Sequence, residues 1–294
     1  MHIPVLTREV LEFLDPKPDE NFVDCTMGEA GHALAILGRN GPTGKVLGID
    51  RDPEALQNIK EKIETKYKAR LLLVCNNFEN LKQIIDEYRF RPVRGVLLDL
   101  GMSSWQLEKS GRGFSFLKNE PLDMRFDQKN YLTAEEIVNT YSQSELERIL
   151  MEYGEERFAG RIVAQIAIGR KMSRIEGTAQ LVEIIRKSVP GWYLHQKIHF
   201  ATRTFQALRI AVNEELKSLE NVLPDAIDIM ETGGRFAVIS FHSLEDRIVK
   251  NFFRKQAALG KITLASKKPI IPSDAELSEN RRSRSAKLRT IIKK

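Results

Sequence analysis

The sequence predicts an α/β fold: a doubly wound, seven-stranded and mostly parallel sheet, interrupted by an inserted, mainly helical segment. Three observations carry that expectation. Short apolar, turn-bounded runs alternate with helical periodicity through the first hundred residues. From about Leu107 to Asn213 the pattern becomes a loop and then helix after helix. Strand signal resumes only at Arg235-Phe236-Ala237-Val238-Ile239-Ser240, directly after Gly233-Gly234. Parallel strands buried on both faces read as continuous apolar runs, and successive βα units wind into an open sheet with helices on both sides.

The strand candidates of the first part are Phe22–Cys25, Lys45–Ile49, Arg70–Cys75 and Val93–Leu98. Between the second and third, Asp52 caps a helix, Pro53 fits its first turn, and Leu56, Ile59 and Ile63 recur at helical spacing. In the insert, Thr133-Ala134-Glu135-Glu136 and Ser142-Gln143-Ser144-Glu145 spell capping boxes. Phe158 to Ile168 and Leu181 to Val189 have helical period, and Thr204 to Leu223 reads as one helix with Phe205, Leu208, Val212, Leu216, Leu219 and Leu223 on a face. Ser243, with Asp246 three residues on, caps a helix to about Leu259. Ile262–Ala265 and Lys287–Ile291 complete the seven strands. The expected division is 1–108 with 206–294 as the sheet domain and 109–205 as the insert.

Two strand ends carry the first functional signal. Phe22-Val23-Asp24-Cys25-Thr26-Met27-Gly28-Glu29-Ala30-Gly31-His32 runs from a buried strand through a glycine turn into a helix. Val46-Leu47-Gly48-Ile49-Asp50 then ends on a carboxylate nineteen residues after Gly31. An acidic residue about 20 positions beyond such a turn holds the two hydroxyls of an adenosine ribose. A dinucleotide site wants G-x-G-x-x-G for its pyrophosphate; here Gly28 and Gly31 flank Glu29 and Ala30, and a glutamate is a poor neighbour for a diphosphate. S-adenosylmethionine, a sulfonium without phosphate, suits the acidic loop better.

Composition bounds the remaining classes. The 294 residues suit two domains or one with a large insertion, and 42% hydrophobic with 29% charged residues is ordinary for a globular chain. There is no apolar run long enough to cross a bilayer, and Met1-His2-Ile3-Pro4-Val5-Leu6 lacks the basic flank and apolar stretch of a signal peptide, so a cytoplasmic protein with no membrane partner is expected. Cys25 and Cys75 are expected buried and reduced, and no cysteine or histidine spacing suggests a metal. Residues 251–294 hold twelve Lys/Arg against three Asp/Glu, a local +9, which leaves −3 on the rest of a chain of net charge +6. Such clustering is either a phosphate-contact surface or a solvated basic tail; Leu277, Leu288, Ile291 and Ile292 favour a folded strand over a loose tail.

In an open parallel sheet, ligands bind beyond the carboxyl ends of the strands. The candidates there are Asp24, Gly28, Gly31 and His32; Asp50; Asn76, Asn77 and Phe78; Asp99, Gly101, Ser103, Ser104 and Gln106; and Ser240, Phe241, His242 and Ser243. Each has a plainer reading. Asp24 either ties down the glycine loop by accepting backbone N–H bonds or contacts the cofactor, and Phe78 is either core or an adenine platform. Gly111-Arg112-Gly113-Phe114-Ser115-Phe116 is either a turn with buried aromatics or a lid. His242 is a helix cap or a substrate contact, and Arg203 and Arg209 are surface charges or phosphate contacts.

A resemblance then becomes specific. Asp24-Cys25-Thr26-Met27-Gly28-Glu29-Ala30-Gly31-His32, Asp99-Leu100-Gly101-Met102-Ser103-Ser104, Arg112-Gly113-Phe114-Ser115-Phe116, Pro121-Leu122-Asp123-Met124-Arg125, Tyr153-Gly154-Glu155-Glu156, Ala201-Thr202-Arg203-Thr204-Phe205-Gln206-Ala207-Leu208-Arg209 and Ile239-Ser240-Phe241-His242-Ser243-Leu244-Glu245-Asp246-Arg247 all resemble segments of one family. It is the bacterial small-subunit ribosomal RNA cytosine-N4 methyltransferase H family. The resemblance runs from His2-Ile3-Pro4-Val5-Leu6 to Arg282-Ser283-Arg284-Ser285-Ala286-Lys287-Leu288-Arg289.

The resemblance implies a class I, Rossmann-like methyltransferase with S-adenosylmethionine as donor, S-adenosylhomocysteine as product, and the exocyclic N4 of a decoding-region cytidine of 16S rRNA as target. It places cofactor contacts on Ala30, Gly31, His32, Asp50, Phe78, Asp99 and Gln106, and makes the insert the substrate-recognition domain. Ala30 stands where the family usually has glycine, and Met102 where a smaller aliphatic residue is usual. Asp99 is the first choice for accepting the N4 hydrogens, supported by Ser103 or Ser104, with binding of the cofactor's methionyl amine as its other reading. Expected RNA contacts are Arg203, Arg209, Phe241, His242, Arg281, Arg282 and Arg284, joined by Lys287 and Arg289, with Phe241 or Phe114 as stacking platform. The small ribosomal subunit is the expected partner, a homodimer an additional option. The competing readings are a nucleotide-dependent oxidoreductase, which the glycine spacing disfavours, and a non-enzymatic RNA-binding assembly factor.

Overall fold

A computed structural model describes residues 4–63 and 65–294. The part of the N-terminal reading that falls on Met1, His2 and Ile3 lies outside the described residues. The chain forms two compact units, Met1–Ser103 with Leu216–Lys294, and Ser104–Glu215. Against the expected junctions at 108/109 and 205/206, the second unit gains residues at both ends; at the C-terminal end helix Thr202–Asn213 packs on helices Ala134–Thr140 and Gln143–Glu152 of that same unit.

The first unit is built on seven strands: β1 Phe22–Asp24, β2 Val46–Asp50, β3 Leu71–Cys75, β4 Val93–Asp99, β5 Met230–Ser240, β6 Ile262–Leu264 and β7 Lys287–Lys293. Their order is β3-β2-β1-β4-β5-β7-β6. The pairs from β3 to β5 are parallel, and β7 runs antiparallel between β5 and β6. Side chains alternate across a strand, so the sheet feeds two cores. Val23, Leu47, Val96, Leu98, Phe236 and Val238 enter one, and Phe22, Val46, Leu97, Ala237, Ile239 and Leu288 the other. Burial on both faces explains why these strands read as unbroken apolar runs.

Several local expectations change. Thr204 to Leu223 is two helices, Thr202–Asn213 and Glu215–Ile229, because Glu214 turns left-handed at φ 50° and ends the first. The cap of helix Ser243–Ala258 is His242, one residue earlier than expected: its side chain accepts from the Glu245 N–H, while Glu245 Oε2 accepts from the N–H of Phe241 at 2.8 Å. Asp52 does cap Pro53–Lys62, accepting from the N–H groups of Glu54 and Ala55. Cys25 is buried, but Cys75 is exposed, since it ends the edge strand β3. The basic C-terminus is folded: Leu288 and Ile291 are fully buried in β7, while Leu277 sits in helix Asp274–Glu279.

The second unit is helical, and its long N-terminal loop is tied down from within. Arg112, 5% exposed, donates to the carbonyls of Arg125 and Phe126. Asn213 accepts from the Phe126 N–H at 2.9 Å and donates to the Met124 carbonyl at 2.7 Å. Phe114 is buried and stacks on Phe126 at 5.3 Å. This segment is a packed turn and Phe114 is core, which removes it as a stacking platform.

Candidate active site

The strand order reverses between β1 and β4, and in open α/β sheets the ligand crevice lies there, outside the carboxyl ends of the strands. Three of those ends are aspartates: Asp24 closes β1, Asp50 closes β2 and Asp99 closes β4. Each follows a run of buried apolar residues, so the sheet itself fixes their position.

The loop after β1 wraps Asp50. Gly28, at φ 49°, donates its N–H to Asp50 Oδ2 at 2.8 Å, and the Asp52 N–H reaches Oδ1 at 2.9 Å. The two carboxylate oxygens together offer about four acceptor directions, and the backbone N–H groups of Gly28, Arg51 and Asp52 leave room for a further donor such as a ribose hydroxyl. Burial raises the Asp50 carboxyl to about 6, against the pull of those backbone N–H groups. Asp24, 1% exposed, is raised to about 7, mainly by burial, with the charges of Asp99 and Asp50 adding to it. Its Oδ1 accepts the Thr26 N–H at 3.1 Å, which is the loop-tying role.

Gly31 is also required by the chain's own packing. A Cβ there would collide with the Pro4 ring, so the glycine admits the chain's own N-terminal segment rather than only a ligand. Ala30 adopts φ 69° and is buried, a conformation glycine takes without cost.

His32 is 6% exposed, and neither ring nitrogen has a hydrogen-bond partner among the described residues. Its Nε2 lies 3.4 Å from Asp99 Oδ2. Asp99 Oδ1 accepts the Gly101 N–H at 3.0 Å, and the Asp99 N–H donates to Thr26 Oγ1 at 2.7 Å. A buried imidazole with two unsatisfied nitrogens beside acidic strand ends is a place made for a polar ligand. The acceptor set fits S-adenosylmethionine: carboxylates for ribose hydroxyls and for cationic groups.

Phe78 opens a 3-10 turn, Phe78–Asn80, and is half-buried against the core. Ser103 is buried, its Cβ 3.8 Å from where a Cβ on Gly28 would stand. The structure thus gathers Ala30, Gly31, His32, Asp50, Asp99 and Ser103 around one loop. Ser104 and Gln106 open the second unit in helix Ser104–Glu108, with Gln106 buried. Thr26, which holds the Asp99 backbone, was not among the sequence candidates; its only sequence signal is its place two residues after the end of β1.

The expected RNA contacts divide sharply. Arg209 makes a two-pronged pair with Glu215 at 2.8 and 2.9 Å, both side chains almost buried, so it is an internal clamp and not a phosphate ligand. Arg203 donates to the Glu155 carbonyl and is half-buried. Arg289 is held by Asp246 at 2.6 and 3.2 Å, with Lys287 at 3.5 Å from the same carboxylate, so these two help close the sheet. His242 caps its helix, with Nε2 3.0 Å from Glu245 Oε1. Arg281 and Arg284 are exposed and Arg282 half-buried on a turn that the fully buried Ser283 pins.

This sheet, with its inserted helical unit and acidic strand ends around a glycine turn, defines a class I, Rossmann-like methyltransferase. The MraW methylase family model matches residues 1–294, and the chain belongs to that family. It is 45% identical over 307 aligned positions to the ribosomal RNA small subunit methyltransferase H of Citrifermentans bemidjiense, covering 99% of this chain and 98% of the relative. It is 46% identical over 288 positions to the protein of the same name from Persephonella marina, covering 98% and 97%. No helix among the described residues is long and apolar enough to cross a membrane.

Proposed function

We propose that this protein transfers a methyl group from S-adenosylmethionine to the exocyclic N4 of a cytidine in the decoding region of 16S ribosomal RNA, in the cytoplasm. The observation that carries the reading is the group formed by Asp50, His32 and Asp99: two carboxylates at the ends of β2 and β4, the strands on either side of β1, with a buried imidazole 3.4 Å from one of them that has no hydrogen-bond partner among the described residues. Family membership and the full-length relatives supply the reaction class and the small-subunit RNA.

Bound S-adenosylmethionine supplies an electrophilic methyl on a sulfonium. The chain's own residues supply alignment and a proton acceptor. Asp50 takes the ribose hydroxyls, and His32 meets the polar end of the cofactor. The N4 amine is a weak nucleophile because its lone pair is delocalised into the ring. Asp99, accepting an N4 hydrogen, localises that pair and takes the departing proton, while Ser103 or Ser104 orients the amine. Phe78 packs on the adenine and Gln106 completes the cofactor contacts. Phe241 lies against Gly101 beside Asp99 and offers a stacking face for a base drawn out of its helix. Arg281, Arg282, Arg284 and Arg203 meet phosphates, and the inserted unit recognises the RNA loop.

Nucleoside mass spectrometry tests the product. Small subunits from cells lacking the protein, incubated with it and S-adenosylmethionine, should gain N4-methylcytidine at one position. A methyl group found only on carbon or ribose would contradict the assignment.

A further inference from the structure

A cavity of about 320 Å³ lies where β5 ends, outside the group of carboxylates. Phe241 and His242 form one part of its lining, and Ile271, Pro272 and Leu277 an apolar part. Arg284 and Lys287 give it positive charge. That size is at the lower end of small-ligand sites, and an exposed Ile271, 65% accessible, leaves apolar surface there uncovered.

None of Asp24, Asp50 or Asp99 lines the cavity, so it is not the chamber in which the methyl moves. It shares a wall with that chamber. The Phe241 ring atoms come within 2.8 and 2.9 Å of the position a Cβ on Gly101 would take, and Asp99 Oδ1 is 3.1 Å from the same position. One face of the cavity is therefore a ring that, like the Asp99 carboxylate, packs against Gly101.

Its charge is positive after internal pairing. Asp246 faces both Lys287 at 3.5 Å and Arg289 at 2.6 Å, one carboxylate against two cations. Glu245 is engaged with His242 and with the N–H groups of its own helix start. Arg284 is exposed on its turn. An aromatic ring, an apolar floor and cations together fit a nucleobase with its phosphate, the combination by which proteins hold single-stranded nucleic acid.

We propose that this cavity is a subsite for the nucleotide next to the methylated cytidine in the RNA strand. The base lies among Phe241, Ile271 and Leu277, and Arg284, with Lys287, takes the phosphate. Holding the neighbour there fixes the strand so that the reacting base stands on the Asp99 side of Phe241. The inference rests on the RNA-methylation reading above and specifies how the acceptor strand is seated.

The test fills the cavity without touching the cofactor site. Ser285→Trp and Ile271→Trp place a large ring in it from exposed lining positions. Base stacking is worth about 1–3 kcal/mol, so KM for small subunits should rise roughly 5- to 150-fold. The turnover at saturating RNA and the affinity for S-adenosylmethionine should not move. Arg284→Ala should lower the slope of log affinity against log salt by about 0.7–0.9, and Ser285→Trp should leave that slope alone. Binding of a short single-stranded pyrimidine RNA, read by fluorescence anisotropy, separates the two levels of the account. If wild type methylates subunits and both folded tryptophan variants keep wild-type KM and RNA affinity, the subsite is overturned. If wild type transfers no methyl to RNA but the tryptophan variants still lose RNA affinity, the cavity stands as a nucleotide-binding site and the methylation reading falls.

Discussion

Asp50 accepts backbone N–H groups on both oxygens, from Gly28 on one and Asp52 on the other, and is held at the mouth of the glycine loop. Asp50→Ala removes the ribose acceptors and both loop anchors. Charge-assisted bonds contribute roughly 1.5–3 kcal/mol each, so calorimetry should show S-adenosylmethionine affinity down by more than tenfold; unchanged affinity in a folded variant contradicts the ribose role. The same residue sets a pH dependence. Its carboxyl sits at about 6 before the cofactor binds, and ribose hydroxyls need the ionised form, so affinity should fall as pH drops through about 6. Asp24 works in the opposite direction, on stability. Its folded value, about 7, lies above its unfolded one, so its contribution is fully present at low pH and lost as pH rises through 7. Asp24→Asn should therefore gain thermal stability over wild type at pH 8 and none near pH 4, on the order of 1–3 kcal/mol at the upper end. Equal gains at both pH values would exclude burial of its charge as the cause. These aspartates were legible in the sequence because each ends an apolar run. The reason for Gly31 was not, since it depends on Pro4, which is distant in sequence and has no motif linking it to the turn.

At the level of elements, the basic C-terminus holds two kinds of arginine that sequence alone does not separate. Arg289 and Lys287 lie on β7 and meet Asp246 on helix Ser243–Ala258; Arg281, Arg282 and Arg284 lie on the turn before it. Asp246→Ala leaves a mostly buried guanidinium unpaired and should cost about 3 kcal/mol of stability by thermal or chemical unfolding. Changing Arg281, Arg282 and Arg284 together to Ala should leave stability near wild type and flatten the salt slope of RNA binding by about two to three units. A triple variant that loses stability but keeps its slope would assign those arginines to the fold as well. Arg209 shows why charge reading fails at this scale. Its partner Glu215 comes round only because Glu214 takes a left-handed turn, and no glycine marks that position. The strands were legible because a sheet covered on both faces imposes continuous apolar runs, whereas helix breaks at ordinary residues leave no such trace.

For the whole molecule, the alternation of strand and helix, its interruption and its return were enough to specify a sheet domain with an insert. The acidic strand ends were enough to specify a nucleoside cofactor. The order of the last two strands, with β7 between β5 and β6, was not legible, because two short apolar runs near a chain end carry no information about their neighbours. On the proposed function, the strand-end carboxylates make this cofactor-binding sheet an RNA methyltransferase, with Asp99 on the acceptor amine. The direct test is transfer of a tritiated methyl group from S-adenosylmethionine to small subunits from cells lacking the protein, with wild type and Asp99→Asn compared at saturating cofactor and RNA. Proton acceptance by a positioned carboxylate contributes about 10²- to 10⁴-fold, and an amide cannot provide it. The account predicts rapid transfer by wild type and a loss of that size in a folded Asp99→Asn protein that still binds cofactor. Turnover near the wild-type rate in that variant, or a defect confined to cofactor affinity, would contradict it.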